Sequence, residues 1–310
     1  MKAVRIHAFG GPDTVAVEDI AIPELAPNQA LVRVVAAGVN PPDWMIREHE
    51  YNPKGADRVP MTLGQDFAGI IESLAPGART TLEVGDEVFG ETWGSFAEVA
   101  VVPVKDLVRK PKSVDFVVAA SLPMSALTAW QVVIDTAHAS KRKTFLIHGA
   151  SGGVGSFAAQ IAKWKGARVI ATAGGESLEY LRQIGVDQVI DYKHERFEDL
   201  VSDVDVVVEH LGGETQRRSW QVLKKGGMLV NLIGEIDRAA ARRAHVKAVD
   251  FAMTYDTRDL EQIVRLVDDR VLVPRIARVL SLTEARKALD LNQKGESHGK
   301  LVLVTGTTPR

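Results

Sequence analysis

A glycine turn between an apolar strand and a helix constrains the fold of this chain more than any other stretch. Residues 144–148 (TFLIH) have the pattern of a short strand, and residues 156–163 (SFAAQIAK) that of a helix. Between them, Gly149, Gly152 and Gly155 follow one another at three-residue spacing. Glycine lets a backbone come close to a phosphate, and the free N–H groups of the first helical turn point towards it. The stretch therefore predicts an anion-binding turn, with a plain glycine turn as the alternative.

Strands and helices alternate after residue 144, which predicts a doubly wound parallel sheet. Helical patterns at 178–184 and 214–223 separate strand patterns at 144–148, 168–172, 188–191, 205–209, 228–232 and 246–251. Ligands bind such sheets at the carboxyl ends of the strands, where the winding reverses. The glycine turn follows a strand and therefore lies at that edge.

The N-terminal part of the chain has a different character and is rich in short strand patterns. Residues 30–37 and 67–74 are strand candidates bounded by Pro or Gly turns, which predicts a partly open β-barrel. A last strand at 300–305 is expected to return to this barrel. The fold class is α/β, and the predicted domains are 1–117 (barrel), 118–257 (nucleotide-binding) and 258–310 (the returning segment).

Charge and composition exclude several classes of function. The chain has 310 residues and a net charge of -2, so we expect neither nucleic acid nor a membrane as a partner. It contains no cysteine, which removes disulfides, thiol nucleophiles and cysteine-based zinc sites. No stretch approaches the ~18 apolar residues of a membrane span, and the N-terminal residues have a strand pattern rather than that of a signal peptide. We expect a cytoplasmic protein.

Eight short motifs occur along the chain in a fixed order: NPPD at 40–43, GQDFAG at 64–69, GDEVFG at 85–90, GSFAE at 94–98, AASLP at 119–123, LTA at 127–129, HGASGGVG at 148–155 and GKLV at 299–302. This set resembles the quinone oxidoreductase branch of the medium-chain dehydrogenase/reductase superfamily. The resemblance covers nearly the whole chain. It implies a GroES-like substrate domain, a Rossmann domain, the cofactor NADPH, and hydride transfer to a quinone or an α,β-unsaturated carbonyl. It also implies a homodimer, in which the strand near 246–251 pairs across the two-fold axis.

The resemblance also makes a prediction about zinc. Zinc-dependent relatives carry a Cys and a His where this chain has Asn40 and Gln65. Structural and catalytic zinc sites need thiolate or imidazole ligands in tetrahedral array. We therefore expect no metal site.

Three residues are candidates for the chemistry: Asn40, Asp43 and Tyr51. By resemblance, Asn40 and Asp43 follow a strand where the family lines its nicotinamide pocket. The alternative is that Asn40 caps a turn before two prolines and Asp43 caps a helix start. Tyr51 is a candidate proton donor, with a partly buried loop aromatic as the alternative, and water as another proton source.

The cofactor is expected to lie with its pyrophosphate on the N–H groups of 151–154. Other family positions map near the nicotinamide, its ribose or the adenosine phosphate, although Asp66 and Thr128 are also compatible with a turn acid and an N-cap threonine. The complete set of expected cofactor contacts is Asp66, Thr128, Gly149, Ser151, Gly152, Gly153, Val154, Gly155, Ser177, Tyr192, Leu211, Leu232, Ile233 and Lys300.

The end of the second strand favours NADPH over NADH. NAD-specific sites place an acid there to bind the ribose hydroxyls, whereas this strand ends in Ala173-Gly174-Gly175. By resemblance, Tyr192 matches the family's tyrosine after the third strand, and Ser177 stands near the place of the family's phosphate-binding lysine. Glu176 would repel a phosphate, and Lys193 either compensates for it or is a solvated surface lysine. Two alternative functions remain open from the sequence: an enoyl-thioester reductase, and a non-catalytic NADPH-binding protein.

Overall fold

The computed structural model describes residues 1–53, 58–295 and 297–306, and the chain divides into two compact units. The first unit contains Met1–Ser125, Tyr255–Asp269 and Pro274–Arg310, and the second contains Ala126–Thr254 and Arg270–Val273. The first and the last strands described thus belong to one unit, and the whole of the predicted α/β sheet belongs to the other. Within the described ranges, no helix has the length and apolar character needed to cross a bilayer.

The elements are numbered here in chain order. The strands are β1 (Lys2–Ile6), β2 (Val15–Asp19), β3 (Gln29–Val39), β4 (Met61–Thr62), β5 (Asp66–Leu74), β6 (Glu87–Glu91), β7 (Val99–Pro103), β8 (Val108–Arg109), β9 (Thr144–Ile147), β10 (Arg168–Ala173), β11 (Gln188–Asp191), β12 (Val204–Glu209), β13 (Leu223–Asn231), β14 (Lys247–Asp250), β15 (Ile276–Ser281) and β16 (Lys300–Val304). The helices are α1 (Pro41–Arg47), α2 (Phe116–Ala120), α3 (Pro123–Trp130), α4 (Gly153–Trp164), α5 (Ser177–Gln183), α6 (Phe197–Leu200), α7 (Gly213–Ser219), α8 (Arg238–Ala244), α9 (Thr257–Asp268) and α10 (Ala285–Gln293).

The first unit is organised around β3, the longest strand. β3 pairs with β5, β7 and β16, all antiparallel. Six strands of this seven-stranded sheet follow the order β15-β16-β3-β5-β6-β8, and the seventh, β7, pairs with β3 outside this order. Val32, Val34, Phe67 and Leu303 are fully buried in its core, and each such side chain stabilises the unit by about 2 kcal/mol. A separate sheet of three strands, β2-β1-β4, completes the strand pairing of this unit.

The second unit contains the predicted parallel sheet, in the order β11-β10-β9-β12-β13-β14. Every neighbouring pair in it is parallel. The chain winds from β9 to β10 on one side and reaches β12 on the other side of β9, so the winding reverses at β9. The carboxyl end of β9 is thus the position at which such sheets bind ligands, and it leads directly into the glycine turn. The α/β Rossmann prediction is confirmed.

One sequence prediction for the second unit differs from the structure. The predicted helix 214–223 is wrong at its C-terminal end, because α7 ends at Ser219 and β13 begins at Leu223. The carbonyl of Val222 accepts a hydrogen bond from the N–H of Val204 at 2.9 Å, which draws this segment into the sheet. Further upstream, α3 continues as a π-helical turn over Gln131–Thr136. There the Gln131 side chain bonds both the carbonyl and the N–H of Thr254, at 2.7 and 3.1 Å.

Candidate active site

Four polar residues of the first unit form a buried cluster, and each comes from a different element. Asn40 follows β3, Asp43 lies in α1, Asp66 begins β5, and Lys300 begins β16. All four are at least nine-tenths buried. Pairing of Leu301 with Val39 places Lys300 beside Asn40. The cluster therefore depends on strand register rather than on neighbouring positions in the sequence.

The Lys300 ammonium uses all its donors within the protein. Its Nζ donates to Oδ1 of Asn40 at 2.5 Å, to Oγ of Ser125 at 3.1 Å and to the carbonyl of Val39 at 3.3 Å. Oδ2 of Asp66 lies 3.8 Å away as the ion-pair partner. A lysine ammonium has three N–H donors, so no donor remains for another group.

The Asn40 amide is oriented by charges of opposite sign. Its Oδ1 faces the Lys300 ammonium, and its Nδ2 donates to Oδ2 of Asp66 at 2.8 Å. A flipped amide would place N–H groups against the ammonium, so only one orientation satisfies both neighbours. Its second Nδ2 hydrogen meets no acceptor among the described residues. The residue is 1% exposed, and a buried unpaired donor of this kind is a common feature of functional sites.

Asp43 holds the start of α1. Its Oδ2 accepts the backbone N–H of Asn40 at 2.7 Å, as in a helix cap. Its Oδ1 is buried without a hydrogen-bond partner among the described residues. Burial, with a smaller contribution from the nearby charge of Asp66, raises the pKa of Asp43 to about 8, and the Asn40 N–H and Lys300 oppose this rise. The helix-capping alternative is thus realised.

Asp66 and Glu91 are cross-strand partners on β5 and β6. Burial raises the pKa of Asp66 to about 6, while Lys300 and Asn40 oppose that rise. Burial and the neighbouring Asp66 and Asp43 raise the pKa of Glu91 well above its usual range. Burial in turn lowers the pKa of Lys300, against the three carboxyls. One ammonium therefore faces three carboxyls, of which Asp66 lies at ion-pair distance, 3.8 Å from the Lys300 Nζ.

The remaining candidate of this unit, Tyr51, lies outside the cluster. Tyr51 is 45% exposed in the loop after α1, where its N–H donates to the Met45 carbonyl at 3.2 Å. The sequence did not identify Ser125, Glu91 or Tyr255. Tyr255 donates its phenolic hydroxyl to the Asp106 carbonyl at 2.5 Å, and burial raises its pKa. The one signal for Glu91 was an acid directly after the apolar residues of GDEVFG.

In the second unit, the glycine turn closes tightly at the start of α4. Gly149 has a φ of +53°, which favours glycine. A Cβ on Gly155 would lie 2.6 Å from the Gly149 carbonyl oxygen, so the third glycine is required for close approach. The Gly152 N–H donates to the Gly149 carbonyl at 3.0 Å. In the described part of the chain, the N–H groups of Ser151, Gly153 and Val154 meet no backbone acceptor.

The end of β12 packs against this turn. Nε2 of His210 lies 3.2 Å from the Gly149 carbonyl, which can only accept, so Nε2 carries the proton. Oε1 of Glu209 accepts the N–H groups of Leu211 at 2.6 Å and Gly212 at 3.0 Å. The Leu232 N–H donates to the Glu209 carbonyl at 2.8 Å. Internal hydrogen bonds therefore occupy the N–H groups of Leu211 and Leu232, while the side chains of Leu211 and Ile233 are exposed.

The tip of β10 brings together the residues predicted for an adenosine phosphate. A Cβ on Gly174 would lie 3.1 Å from both the Tyr192 ring and the Lys193 Cε, so both side chains cover this glycine. Tyr192 is 60% exposed, whereas Ser177 is buried. Glu176 is exposed at the start of α5. Thr128 is a buried residue inside α3 and not its N-cap.

Across residues 1–53, 58–295 and 297–306, no set of three or more His, Asp or Glu side chains is arranged to hold a metal ion. Zinc-dependent relatives carry metal ligands at the positions of Asn40 and Gln65. In this chain, Asn40 belongs to the buried cluster described above, and Gln65 directly precedes its member Asp66.

The chain is similar to known oxidoreductases. A family model described as an alcohol dehydrogenase GroES-like domain matches residues 26–112, and one described as a zinc-binding dehydrogenase matches residues 184–303. The quinone oxidoreductase of Pongo abelii is 34% identical over 240 residues, which cover 74% of this chain and 72% of that protein. The chloroplastic NADPH-dependent alkenal/one oxidoreductase of Arabidopsis thaliana is 35% identical over 249 residues, which cover 76% of this chain and 63% of that protein.

The same relationship is seen between structures. The quinone oxidoreductase from Coxiella burnetii superposes with a TM-score of 0.92 at 31% sequence identity. The match covers 98% of this chain and 99% of that chain. The chain therefore belongs to the quinone oxidoreductase branch of the medium-chain dehydrogenase/reductase superfamily, a family of enzymes.

Proposed function

We propose that this chain is an NADPH-dependent, zinc-independent oxidoreductase that transfers hydride to a quinone or an α,β-unsaturated carbonyl. The names of the relatives above support the acceptor class and the cofactor. The observation that carries the proposal is the glycine turn at the carboxyl end of β9. Its free N–H groups lie at the start of a twelve-residue helix, where the winding of the parallel sheet reverses. An anionic cofactor is favoured at such a position.

The cofactor is held by backbone and side-chain groups of the second unit. The N–H groups of Ser151, Gly153 and Val154 are the donors for the pyrophosphate, because the N–H of Gly152 is used within the turn. Tyr192 and Lys193 at Gly174 are the contacts for the 2′-phosphate. Bound NADPH supplies the hydride from its nicotinamide, so the protein must orient it and stabilise negative charge on the acceptor.

Asn40 is the group of this chain that we assign to the acceptor oxygen. Its amide keeps one N–H without a partner among the described residues, and its orientation is fixed by Lys300 and Asp66. A preorganised donor of this kind stabilises charge that develops on a carbonyl oxygen. Asp43 holds Asn40 at the start of α1. Tyr51, which is exposed, or water supplies the proton that completes the reduction.

Zinc independence is supported by the charge of the cluster. The Lys300 ammonium contacts Asn40, the residue at a position where zinc-dependent relatives have a cysteine ligand. A second cation at this position would be repelled by the ammonium. Elemental analysis of the purified protein should give less than ~0.1 zinc per chain, and EDTA treatment should leave turnover unchanged. Stoichiometric zinc that is required for turnover would contradict the proposal.

An acceptor panel tests the activity. We expect stoichiometric NADPH oxidation with 1,4-benzoquinone and with a simple enone. Crotonyl-CoA, added as a competitor, distinguishes a quinone or enone oxidoreductase from an enoyl-thioester reductase, because the latter would prefer the thioester. NADPH binding without turnover of any acceptor would instead support a non-catalytic NADPH-binding protein. We also propose that the enzyme works in the cytoplasm as a homodimer on small molecules.

A further inference from the structure

We propose that Lys300 is a positioning residue for Asn40 rather than a contact of the cofactor. Its ammonium, together with Asp66, locks the Asn40 amide so that a single N–H donor is presented to the acceptor. This inference rests on the proposed function, since Asn40 is the group assigned to the acceptor oxygen. It changes the role of Lys300, for which the sequence suggested a place near the cofactor.

Lys300 has no remaining capacity to bind a cofactor. Its three donors are taken by Asn40, Ser125 and the Val39 carbonyl, at 2.5 to 3.3 Å. The residue is 4% exposed. A phosphate or ribose would have to displace one of these acceptors, and a buried acceptor left unpaired costs about 1–3 kcal/mol.

Lys300 and Asp66 work on the amide as a pair. The ammonium attracts Oδ1 of Asn40 and the carboxylate attracts Nδ2, so each favours the same rotamer. Oδ1 of Asp66 is itself fixed by the N–H of Met124 at 3.1 Å. Without the ammonium, Oδ1 of Asn40 loses its partner, and the amide is free to turn its carbonyl towards the acceptor.

The ammonium also sets the charge of Asp66. The ionisable groups that face Lys300 are Asp66 on β5, Asp43 on α1 and Glu91 on β6. Lys300 is the main group that opposes the effect of burial on the pKa of Asp66. If Lys300 is neutralised, the pKa of Asp66 rises, and a protonated Asp66 no longer accepts reliably from Asn40.

The test compares Lys300→Met, Asp66→Asn and the double variant with wild type. Lys105→Met, an exposed lysine without an ion pair among the described residues, is the matched control. Four quantities are measured: the Kd for NADPH, kcat with a saturating enone, the pH profile of kcat, and thermal stability at pH 5 and pH 8. The double variant removes one positive and one negative charge, so the net charge of the cluster does not change. It can therefore be measured even if Lys300→Met alone does not fold.

We expect Lys300→Met to lower kcat by about ten- to a hundredfold at pH 7, since misplacement of a catalytic group has effects of this size. The Kd for NADPH should change by less than about threefold. The kcat of Lys300→Met should recover partly towards high pH, where Asp66 ionises again. Adding Asp66→Asn should restore stability at pH 8 but not kcat.

Two results would overturn the inference. One is a rise of the Kd by about tenfold or more with kcat unchanged at saturation, which would make Lys300 a cofactor contact. The other is a folded Lys300→Met variant with wild-type kcat and pH profile. If wild type turns over no acceptor, the proposed function fails instead, and the Kd and the stability at the two pH values still decide whether Lys300 contacts the cofactor or neutralises Asp66.

Discussion

Asp43 is fully buried, and its Oδ1 has no hydrogen-bond partner among the described residues. Its pKa rises from 3.8 to about 8, mainly because burial disfavours the charged form. Between these values the unfolded chain releases a proton that the folded chain keeps. The folded state is therefore stabilised relative to the unfolded state at low pH, and this stabilisation is lost as the pH rises towards 8.

We expect Asp43→Asn to remove this pH dependence. The amide oxygen can still accept the Asn40 N–H, and no proton needs to be held. Relative to the variant, wild type should lose roughly 1 kcal/mol of unfolding free energy per pH unit between pH 4 and 8. Urea denaturation at several pH values measures this, with the exposed Asp19→Asn as the control. Parallel curves for wild type and Asp43→Asn would show that Asp43 ionises normally.

Lys193 and Glu176 should have opposite effects on the preference for NADPH over NADH. Lys193 lies over Gly174 beside Tyr192, and Glu176 is exposed two residues further along the chain from this glycine. A charge-assisted bond from Lys193 to the 2′-phosphate should make Lys193→Gln weaken NADPH binding about five- to tenfold, with little effect on NADH. Glu176→Gln should strengthen NADPH binding. Fluorescence titration with both nucleotides gives the ratio, and an equal loss for NADPH and NADH would refute a phosphate contact.

At the level of elements, substitutions at the start of α4 test which of its glycines the packing of the turn requires. A Cβ at position 155 would lie 2.6 Å from the Gly149 oxygen and 2.7 Å from the Ala150 Cα, both backbone atoms that cannot move independently. Gly155→Ala should therefore cost about 1–3 kcal/mol. A Cβ at Gly152 would meet only the Gly149 oxygen, at 3.3 Å, so Gly152→Ala is the matched control and should cost less than about 1 kcal/mol. Thermal unfolding that ranks the two variants in the opposite order would contradict the packing argument.

The sequence predicts the second unit better than the buried cluster, for a physical reason. Central parallel strands such as β9 and β12 are buried on both faces, so they appear as continuous apolar runs between turns. The C-terminal end of α7 was predicted wrongly, because it is set by the hydrogen bond from the Val204 N–H to the Val222 carbonyl, which is a tertiary contact. The Gln131 side chain likewise bonds Thr254, a residue distant in the sequence.

The cluster could be predicted only in part. NPPD placed Asn40 and Asp43 together, because both belong to one helix start. That Lys300 bonds Asn40 depends on the register between β16 and β3, which no local pattern encodes. The pairing of Asp66 with Glu91 depends in the same way on the register of β5 and β6. Sequence resemblance named Lys300 as a site residue, but burial and donor count were needed to suggest its role.

For the whole molecule, we expect a homodimer. In the described part of the six-stranded sheet, β14 pairs only with β13, which leaves the other edge of this four-residue strand for pairing. Edge strands that stay unpaired promote uncontrolled association, and a two-fold axis through β14 would close this edge. Light scattering after size exclusion should give twice the 33.7 kDa of one chain. A monomer at micromolar concentration would contradict this expectation.

The position of β16 has a consequence for how the protein is synthesised. This strand lies inside its sheet, between β15 and β3, and it carries the only cation within bonding distance of Asn40 and Asp66 among the described residues. On the ribosome, β3 and β5 emerge long before residue 300, whereas the second unit is translated completely in the interval. A nascent chain therefore carries Asp43 and Asp66 without the Lys300 ammonium until β16 has been released from the ribosome. A chain that stops before β16 should fold the glycine turn but should lack the buried cluster.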